Sequence, residues 1–312
     1  MCVRKEMTRV AILAETKWAL GRIYKPLERV LRECGYDVQY FDTYVYSDLD
    51  LFKSCFQQFD VVIGHSASVC YLMQKDLNES NAHKFLLTLH SPVLDNSHFS
   101  EYVSLLKDIT YTAACKAGVK TVRDVRGGYV AWTPFGVDLN IFPMSKTSTT
   151  LNTAGFIGNF ETSEAHISVK RPGTFAEICA RSKLNPKYIY NQPSDLGPLL
   201  YKDLDVLICC STYESGPLGV FEAAALGIPV LTTAVGNSQL IPGLKLFETV
   251  GDAVAILQQW RDHPAERLEY ASALQKEVRD KWSMDTLLKT YMVPVVQHVV
   301  CKQPTILPVS FD

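Results

Sequence analysis

The sequence predicts an α/β protein with two doubly wound parallel sheets, because short apolar segments alternate with helical patterns in two successive series. A polar stretch, Ser145–Thr153, separates the two series and is the predicted linker. We therefore expect two Rossmann-like domains, at residues 1–145 and 146–283, followed by a C-terminal helix and tail at residues 284–312. Ligands of open α/β sheets bind at the carboxyl ends of the strands, so these ends are where a site is expected.

The first series begins close to the N terminus and alternates throughout. Its predicted strands are Val10–Ala14, Val38–Phe41, Val61–Gly64, Phe85–Leu89, Thr110–Ala113 and Tyr129–Trp132. Its clearest predicted helices are Pro26–Cys34 and Val69–Leu77. Strands that alternate with helices favour parallel pairing, since each crossover needs a helix-sized connection.

The second series has the same alternation. Its predicted strands are Gly155–Gly158, Tyr188–Tyr190, Asp205–Cys210, Pro229–Thr233 and Leu246–Val250. Its predicted helices are Pro172–Ala180, Gly197–Lys202, Val220–Leu226, Asp252–Arg261 and Ala265–Lys281. The segment Met284–Val300 is predicted to be a helix that is interrupted or kinked at Pro294.

Composition excludes several classes of protein. Hydrophobic residues make up 47% of the 312 residues and charged residues 21%, which is enough apolar material for a sizeable core. The net charge of −2 gives no basis for nucleic-acid binding. Nine cysteines without CxxC spacing are interpreted as reduced thiols of a cytoplasmic protein. No apolar run approaches the ~18 residues of a membrane span, and the N terminus is a poor signal peptide.

Two glutamates, Glu214 and Glu222, are the most informative pair in the chain. Glu214 is predicted on a loop that contains two glycines and a proline, and Glu222 on the small-residue helix that follows. A loop that feeds a helix N terminus offers free backbone N–H groups and suits a phosphate. Ionised carboxylates only accept hydrogen bonds, so they suit sugar hydroxyls. At this spacing alone, solvent-facing acids would be the more ordinary interpretation.

The residues around Glu214 and Glu222 favour a functional role for the pair. Two glutamates separated by seven residues, in the setting Tyr213–Gly219, resemble the signature of retaining GT-B glycosyltransferases of family 4, the glycosyl transferases group 1. The segment Trp132–Phe142 resembles the Pro-Asn-Gly-Val-Asp segment of that family, with Phe135 in place of Asn. The resemblance implies a GT-B fold, with two Rossmann-like domains facing across a cleft and a last helix that returns to the N-terminal domain.

The resemblance also implies roles for individual residues. Its catalytic set is His90, Glu214 and Lys170: His90 contacts the sugar, Glu214 holds sugar hydroxyls, and Lys170 stabilises the leaving diphosphate. Glu222 would hold the ribose hydroxyls. The implied donor-binding set consists of Arg171, Ser215, Gly216, Pro217, Leu218, Gly219, Glu222, Gly21 and Asn191. His65, which ends the preceding predicted strand, is a weaker candidate on the same logic as His90.

This sequence departs from the family at two places. Asn159 stands where a phosphate-binding Arg is expected, and Arg171 is the candidate replacement. Between Gly158 and Asp205 there is room for one clear strand where the family usually has two. Base recognition is therefore assigned only to Asn191 and Gln192.

The expected function is metal-independent, retaining transfer of a sugar from a UDP- or GDP-sugar to a glycan or other hydroxyl acceptor, with no cofactor. Two Asp-x-Asp matches, at Asp48–Asp50 and Asp203–Asp205, are interpreted as chance and not as a metal site. The basic face of Arg22, Lys25, Arg29 and Arg32 is interpreted as a solvated helix face, with membrane association as the alternative. A degenerate protein that binds a sugar nucleotide or glycan, and a sugar-nucleotide epimerase, remain the alternative functions.

Overall fold

A computed structural model describes residues 7–17, 19–43, 58–65, 83–90, 108–145, 147–158, 164–190 and 192–301. The predicted helix Val69–Leu77 and the site candidates Asn159 and Asn191 lie outside these residues. The chain divides into two compact units, residues 1–135 together with 285–312, and residues 136–284. Within the described residues, no helix combines the length and the apolar character that a membrane span requires.

Unit 1, residues 1–135 with 285–312, is built on a six-stranded sheet in the order β2-β1-β3-β4-β5-β6. Its strands are β1 Arg9–Ala14, β2 Asp37–Asp42, β3 Val61–His65, β4 Phe85–Leu89, β5 Thr110–Ala113 and β6 Ala131–Trp132, and all of their pairings are parallel. Every residue of β3 and β4 is buried, as expected for strands that are covered on both faces.

Helices cover this sheet, and the last of them comes from the far end of the chain. In the described residues of unit 1, the helices are α1 Gly21–Glu33, α2 Lys116–Arg126 and the C-terminal segment that ends in α9 Val293–Cys301. Helix α9 packs on β3 and β4 and buries four valines there, Val293, Val295, Val296 and Val299.

The basic face of α1 is neutralised by nearby acids. Arg29 donates to both carboxylate oxygens of Asp285 at 2.7 Å. Arg32 lies 2.8 Å and Lys25 3.2 Å from oxygens of Glu28. Bidentate Arg–carboxylate pairs have the geometry in which an ion pair contributes to the stability of the fold. Arg29 therefore ties α1 to the C-terminal segment of the same unit.

Unit 2, residues 136–284, contains a five-stranded sheet in the order β11-β10-β9-β7-β8. Its strands are β7 Thr153–Ile157, β8 Asn185–Ile189, β9 Val206–Cys209, β10 Val230–Thr232 and β11 Lys245–Leu246. Its helices are α3 Glu164–Lys170, α4 Pro172–Ser182, α5 Leu218–Ala225, α6 Val250–Asp262, α7 Pro264–Lys281 and the start of α8 Met284–Leu287. The α/β GT-B fold predicted from the sequence is confirmed, with parallel sheets and flanking helices in both units.

The polar stretch predicted as a linker is fixed to unit 2. Asp205 accepts from Thr150 Oγ1 and Asn152 N at 2.8 Å and from Thr153 N at 3.0 Å. Desolvation raises the pKa of Asp205, but these hydrogen bonds and one from Ser148 outweigh it and lower the pKa overall. Asp205 thus holds the start of β9 against the backbone that leads into β7. From α7, the buried Arg267 donates to three main-chain carbonyl oxygens of residues 148–150.

Several predicted elements were wrong in their extent. The predicted strand Leu246–Val250 is only Lys245–Leu246, because Thr249 and Asp252 form a capping box that starts α6 at Val250. Helix α3, directly before Arg171, was not predicted from the sequence. The predicted helix Gly197–Lys202 is a 3₁₀ segment.

This 3₁₀ segment spans Ser194–Tyr201 and is interrupted at Gly197 (φ +46°) next to Pro198. The C-terminal helix is irregular over Leu288–Met292, just before the predicted kink at Pro294. That segment is a π turn. Pro294 has no N–H and cannot donate the backbone hydrogen bond to the preceding helical turn. The wider π turn accommodates this missing hydrogen bond.

Candidate active site

The loop that carries Glu214 follows β9, a buried strand whose carboxyl end opens into residues 211–217 before α5 begins at Leu218. Two neighbouring elements hold its backbone. Asn237 N donates to Ser215 O at 3.0 Å, and Thr233 Oγ1 donates to Ser211 O at 2.5 Å. Gly236 has φ +49°, and a Cβ there would lie 2.3 Å from Ser215 O. These contacts within the protein therefore fix the backbone conformation of the loop.

Glu214 is paired with Lys170 from the end of α3. The Lys170 ammonium and Glu214 Oε1 form an ion pair, and Ser211 Oγ donates to the same carboxylate oxygen at 2.9 Å. The two side chains are only 20% and 19% exposed, so the pair is shielded from water. Thr212 N donates to Val169 O at 2.8 Å, which holds the loop against the end of α3.

The Lys170 side chain is charged in this setting. Desolvation lowers the pKa of Lys170, but the charge of Glu214 and the hydrogen bond to it outweigh desolvation and raise the pKa. Gly158, at the end of β7, lies beneath the lysine, since a Cβ there would be 3.3 Å from its Cδ and Cε atoms. The side chain of Lys170, at the end of α3, therefore lies between the end of β7 and the loop that carries Glu214.

Glu222 lies in the second turn of α5 and is 2% exposed. The Tyr201 hydroxyl donates a hydrogen bond to Glu222 Oε2. This bond fixes the orientation of one carboxylate oxygen. Glu222 is buried and the Glu214 side chain is only 19% exposed, which argues against solvent-facing acids.

The first turn of α5 lies close to the end of β7. A Cβ on Gly219 would be 2.3 Å from Ile157 Cγ2, so only glycine allows this approach. The helix begins after Pro217 without a side-chain cap, which leaves its first N–H groups to other partners. Ser215 is buried within the loop. Six of the predicted donor-binding residues thus lie within the loop end and the first two turns of α5: Ser215, Gly216, Pro217, Leu218, Gly219 and Glu222.

Arg171 lies between α3 and α4 in the left-handed region, with φ +56° and ψ +54°. Its N–H donates to Ile167 O at 2.9 Å, which closes α3, and Pro172 starts α4. The Arg171 charge lowers the pKa of Cys210, although burial dominates and raises it. Arg171 is therefore next to Lys170 in the chain and near the end of β9.

In unit 1, His65 ends β3 and His90 directly follows β4, so both lie at the carboxyl edge of the same sheet. Their ring centroids are 6.2 Å apart. Burial lowers the pKa of His65 to about 4. Burial, with a smaller effect of His65, lowers the pKa of His90 to about 3, so both rings are neutral at neutral pH.

Phe135, which stands where the family has Asn, stacks on the His90 ring with centroids 5.1 Å apart and planes 12° apart. Gly21, the weakest donor-site candidate, is the first residue of α1. A Cβ on Gly21 would lie 2.1 Å from Thr16 O, so glycine lets α1 start directly against the β1–α1 connection.

Asp138, in the same motif as Phe135, has a structural role. Its carboxylate accepts from Asn140 N at 3.1 Å and Asn140 Nδ2 at 2.9 Å. Its backbone carbonyl oxygen accepts from Ile141 N and Phe142 N. The segment around Asp138 is therefore an Asp-capped turn.

Sequence reasoning missed two tyrosines. Tyr201 contacts Glu222, and the Tyr24 hydroxyl lies 2.9 Å from His90 Nε2. Each tyrosine is more than 20 residues from its partner and lies in a segment without a recognisable motif. No local signal in the chain could have found them, because both contacts depend on how helical segments pack beside strand ends.

Comparison with known proteins gives the following similarities. The family model for glycosyl transferases group 1 matches residues 183–241, the segment that carries both glutamates. Sucrose-phosphate synthase from Thermosynechococcus elongatus superposes with a TM-score of 0.70 at 11% identity, covering 95% of this chain and 100% of that one. HepE of Anabaena in complex with UDP and glucose gives 0.64 at 13% identity, with coverage of 93% and 99%.

A UDP-forming α,α-trehalose-phosphate synthase from Burkholderia xenovorans gives a TM-score of 0.64 at 10% identity, with coverage of 94% and 99%. No curated protein is significantly similar to the chain in sequence. At these identities the solved structures establish the fold, and the family model adds support for glycosyl transfer. The resemblance predicted from the sequence is confirmed: the chain has a GT-B fold and carries a glycosyl transferases group 1 segment at residues 183–241.

Proposed function

We propose that the chain is a retaining glycosyltransferase that moves a sugar from a nucleotide-diphosphate sugar to a hydroxyl of a glycan or another acceptor. The observation that carries this proposal is the convergence in unit 2 of a cation and two shielded carboxylates around one helix N terminus. A sugar nucleotide has a matching order of groups: ribose hydroxyls, a diphosphate and sugar hydroxyls.

The roles follow from the charges. Glu222, oriented by Tyr201, accepts from the ribose hydroxyls. The N–H groups of the first turn of α5, together with Lys170 and Arg171, neutralise the diphosphate as its negative charge grows during bond cleavage. We assign this neutralisation to side chains and the helix and to no divalent ion. Glu214 accepts from hydroxyls of the transferred sugar.

His90 of unit 1 contacts the sugar, and Gly21 allows close backbone approach. No side chain is assigned as a nucleophile. In a same-face reaction the acceptor oxygen attacks the anomeric carbon from the face that the phosphate leaves, so the stereochemistry is retained. The leaving phosphate takes the acceptor proton. The base is proposed to be uridine or guanosine, with Asn191 as the candidate reader. The HepE structure is a complex with UDP and glucose, and the trehalose-phosphate synthase is UDP-forming, so UDP is the first nucleotide to test.

The test is thermal unfolding with UDP, GDP and ADP and with their common sugar conjugates, each with and without EDTA. A ligand at 100 times its dissociation constant stabilises a fold by ~2.7 kcal/mol, which is a readable shift in melting temperature. We expect a shift with one base that is insensitive to EDTA and is lost in Glu222→Gln. Glu248→Gln, an exposed glutamate of the same unit, is the matched control and should keep the shift.

Turnover separates the alternatives. A transferase releases free nucleotide only with an acceptor or, slowly, with water, and its product keeps the anomeric configuration of the donor. Binding without release of nucleotide would indicate a degenerate binding protein, and conversion of the donor without an acceptor would indicate an epimerase. If no nucleotide changes the melting temperature, the donor site is wrong.

A further inference from the structure

The carboxylate of Glu214 is held through one of its two oxygens. Lys170 Nζ and Ser211 Oγ both donate to Oε1, Ser211 at a distance of 2.9 Å. Within the part of the chain that the structure describes, these two side chains are the donors to this carboxylate, and Oε2 has none. The proposed mechanism uses Lys170 and Glu214 but gives Ser211 no role.

The two donors differ in how firmly the protein holds them. Ser211 follows β9 and is 3% exposed. Its carbonyl oxygen accepts from Thr233 Oγ1 at 2.5 Å, and Thr233 N donates to Cys209 O at 3.0 Å, so the end of β10 holds the backbone on both sides. The hydroxyl of a serine is one rotatable bond from its backbone. The Lys170 ammonium, in contrast, is carried on a flexible four-carbon stem.

The neighbours of Ser211 also fix the direction of its hydrogen bond. A carboxylate only accepts, so Ser211 is the donor to Glu214. On its other side, the Cys209 thiol donates to Ser211 Oγ at 3.7 Å. Desolvation and the charge of Glu214 raise the pKa of the Cys209 thiol, which therefore keeps its proton at neutral pH. The single proton of the Ser211 hydroxyl is thus committed to Glu214 Oε1.

A bound diphosphate changes this arrangement, and this step rests on the proposed function. Its negative charge attracts the Lys170 ammonium and repels the Glu214 carboxylate. The Ser211 hydroxyl is uncharged and its backbone is fixed, so it stays on Oε1 when Lys170 moves to the phosphate. Oε2 then keeps its orientation and accepts from hydroxyls of the transferred sugar.

We propose that Ser211 is a positioning residue that holds Glu214 in place once Lys170 has moved to the diphosphate. Ser211 therefore determines how strongly the site prefers a sugar nucleotide to the free nucleoside diphosphate. It acts through Glu214 and does not itself contact the donor.

The test is titration calorimetry with UDP or GDP, whichever raises the melting temperature, and with the sugar conjugate of it that the wild-type protein binds most tightly. We expect Ser211→Ala to bind the sugar nucleotide about tenfold more weakly, the effect of losing one hydrogen bond to a charged group. Its affinity for the free diphosphate should change less than about twofold, which also shows that the variant is folded. Ser211→Thr keeps a hydroxyl and should restore the preference for the sugar nucleotide.

Ser182→Ala is the matched control. Ser182 is a second serine of unit 2 that is 3% exposed, and its hydroxyl has no hydrogen-bond partner among the described residues. Its replacement should leave both affinities unchanged.

A double-mutant cycle shows whether Ser211 acts through Glu214. In the Glu214→Ala background, Ser211→Ala should have no further effect on either affinity. An unchanged preference in Ser211→Ala, an equal loss of both ligands, or an effect that adds fully to that of Glu214→Ala overturns the positioning role. A wild-type protein that binds no nucleotide overturns the donor site itself. Failure of the positioning role and failure of the proposed function are therefore distinguishable.

Discussion

At the scale of single residues, Lys170 and Glu214, which are both proposed to bind the donor, form an ion pair with each other. A diphosphate that takes Lys170 has to separate it from Glu214, and sugar hydroxyls can then occupy the carboxylate. The pair therefore discriminates between a nucleotide with a sugar and one without, because only the former satisfies both groups.

Glu214→Gln tests this exchange. The uncharged amide holds Lys170 more weakly, so the free nucleoside diphosphate should bind about fivefold more tightly, the value of an ion pair of about 1 kcal/mol that is partly exposed. Turnover should fall on the order of 100-fold, since a contact to the reacting sugar is lost. Titration calorimetry and initial rates measure the two effects. Weaker binding of the diphosphate would contradict the exchange, and Glu248→Gln should change neither quantity.

The two neutral histidines of unit 1 predict a dependence of stability on pH. The pKa values of His65 and His90 in the folded protein, about 4 and about 3, lie below the ordinary value of 6.5. The unfolded chain therefore binds more protons below pH 6.5. Their contribution to stability is complete above that pH and is lost as the pH falls towards 4 and 3.

Denaturant unfolding from pH 7 to pH 4 measures this contribution. The wild-type protein should lose more unfolding free energy over this range than the double variant His65→Gln/His90→Gln, by up to about 1.4 kcal/mol for each unit of pKa shift that is traversed. His263→Gln, which replaces an exposed histidine of unit 2, should follow the wild-type curve. Equal slopes for the double variant and the wild type would exclude buried neutral histidines.

At the scale of elements, the position of α5 depends on the missing side chain of Gly219. Gly219→Ala would place Cβ 2.3 Å from Ile157 Cγ2 and push the first turn of α5 away from β7. Overpacking of this kind costs about 1–3 kcal/mol. The displaced N–H groups should also weaken nucleotide binding about tenfold, measured by calorimetry alongside the melting temperature.

Gly251→Ala is the control for this substitution. Gly251 also lies in the first turn of a helix, α6, but a Cβ there would meet Thr249 Oγ1 at 3.5 Å, an ordinary contact. Alanine should stabilise that helix by about 0.5–1 kcal/mol. The double variant Gly219→Ala/Ile157→Ala removes the clash and should recover binding. If Gly219→Ala alone binds nucleotide normally, the close approach of α5 to β7 is not required.

The same elements show what the sequence could predict and what it could not. Buried parallel strands such as Phe85–Leu89 are continuous apolar runs, and this local pattern located them to within a residue or two. The glutamate loop was found because Gly216 and Pro217 mark its end, directly before α5. The contacts of Glu222 with Tyr201 and of Gly219 with Ile157 were not predictable, because they depend on packing between segments distant in sequence. Helix α3 was missed because its short polar sequence lacks helical periodicity.

At the scale of the whole molecule, the C-terminal segment is part of the core of unit 1. Val296 of α9 is fully buried, and α9 packs on β3 and β4. Val296→Ala should lower the unfolding free energy of unit 1 by about 2 kcal/mol, from the lost methyl groups and the cavity they leave. Val125→Ala, a partly exposed valine of α2, should cost much less. Denaturant unfolding followed by probes in each unit measures both, and equal costs would contradict the packing of α9.

Unit 1 consists of two segments that are distant in the chain, and this has a consequence for synthesis on the ribosome. Residues 1–135 emerge first, but their sheet lacks α9 until residue 301 has left the exit tunnel. Residues 136–284 are contiguous and can fold as soon as they emerge, so the later-made unit can complete its fold before the earlier one. During that interval the apolar face of β3 and β4, which α9 later covers, stays exposed. We therefore expect ribosome-associated chaperones to bind the nascent N-terminal segment.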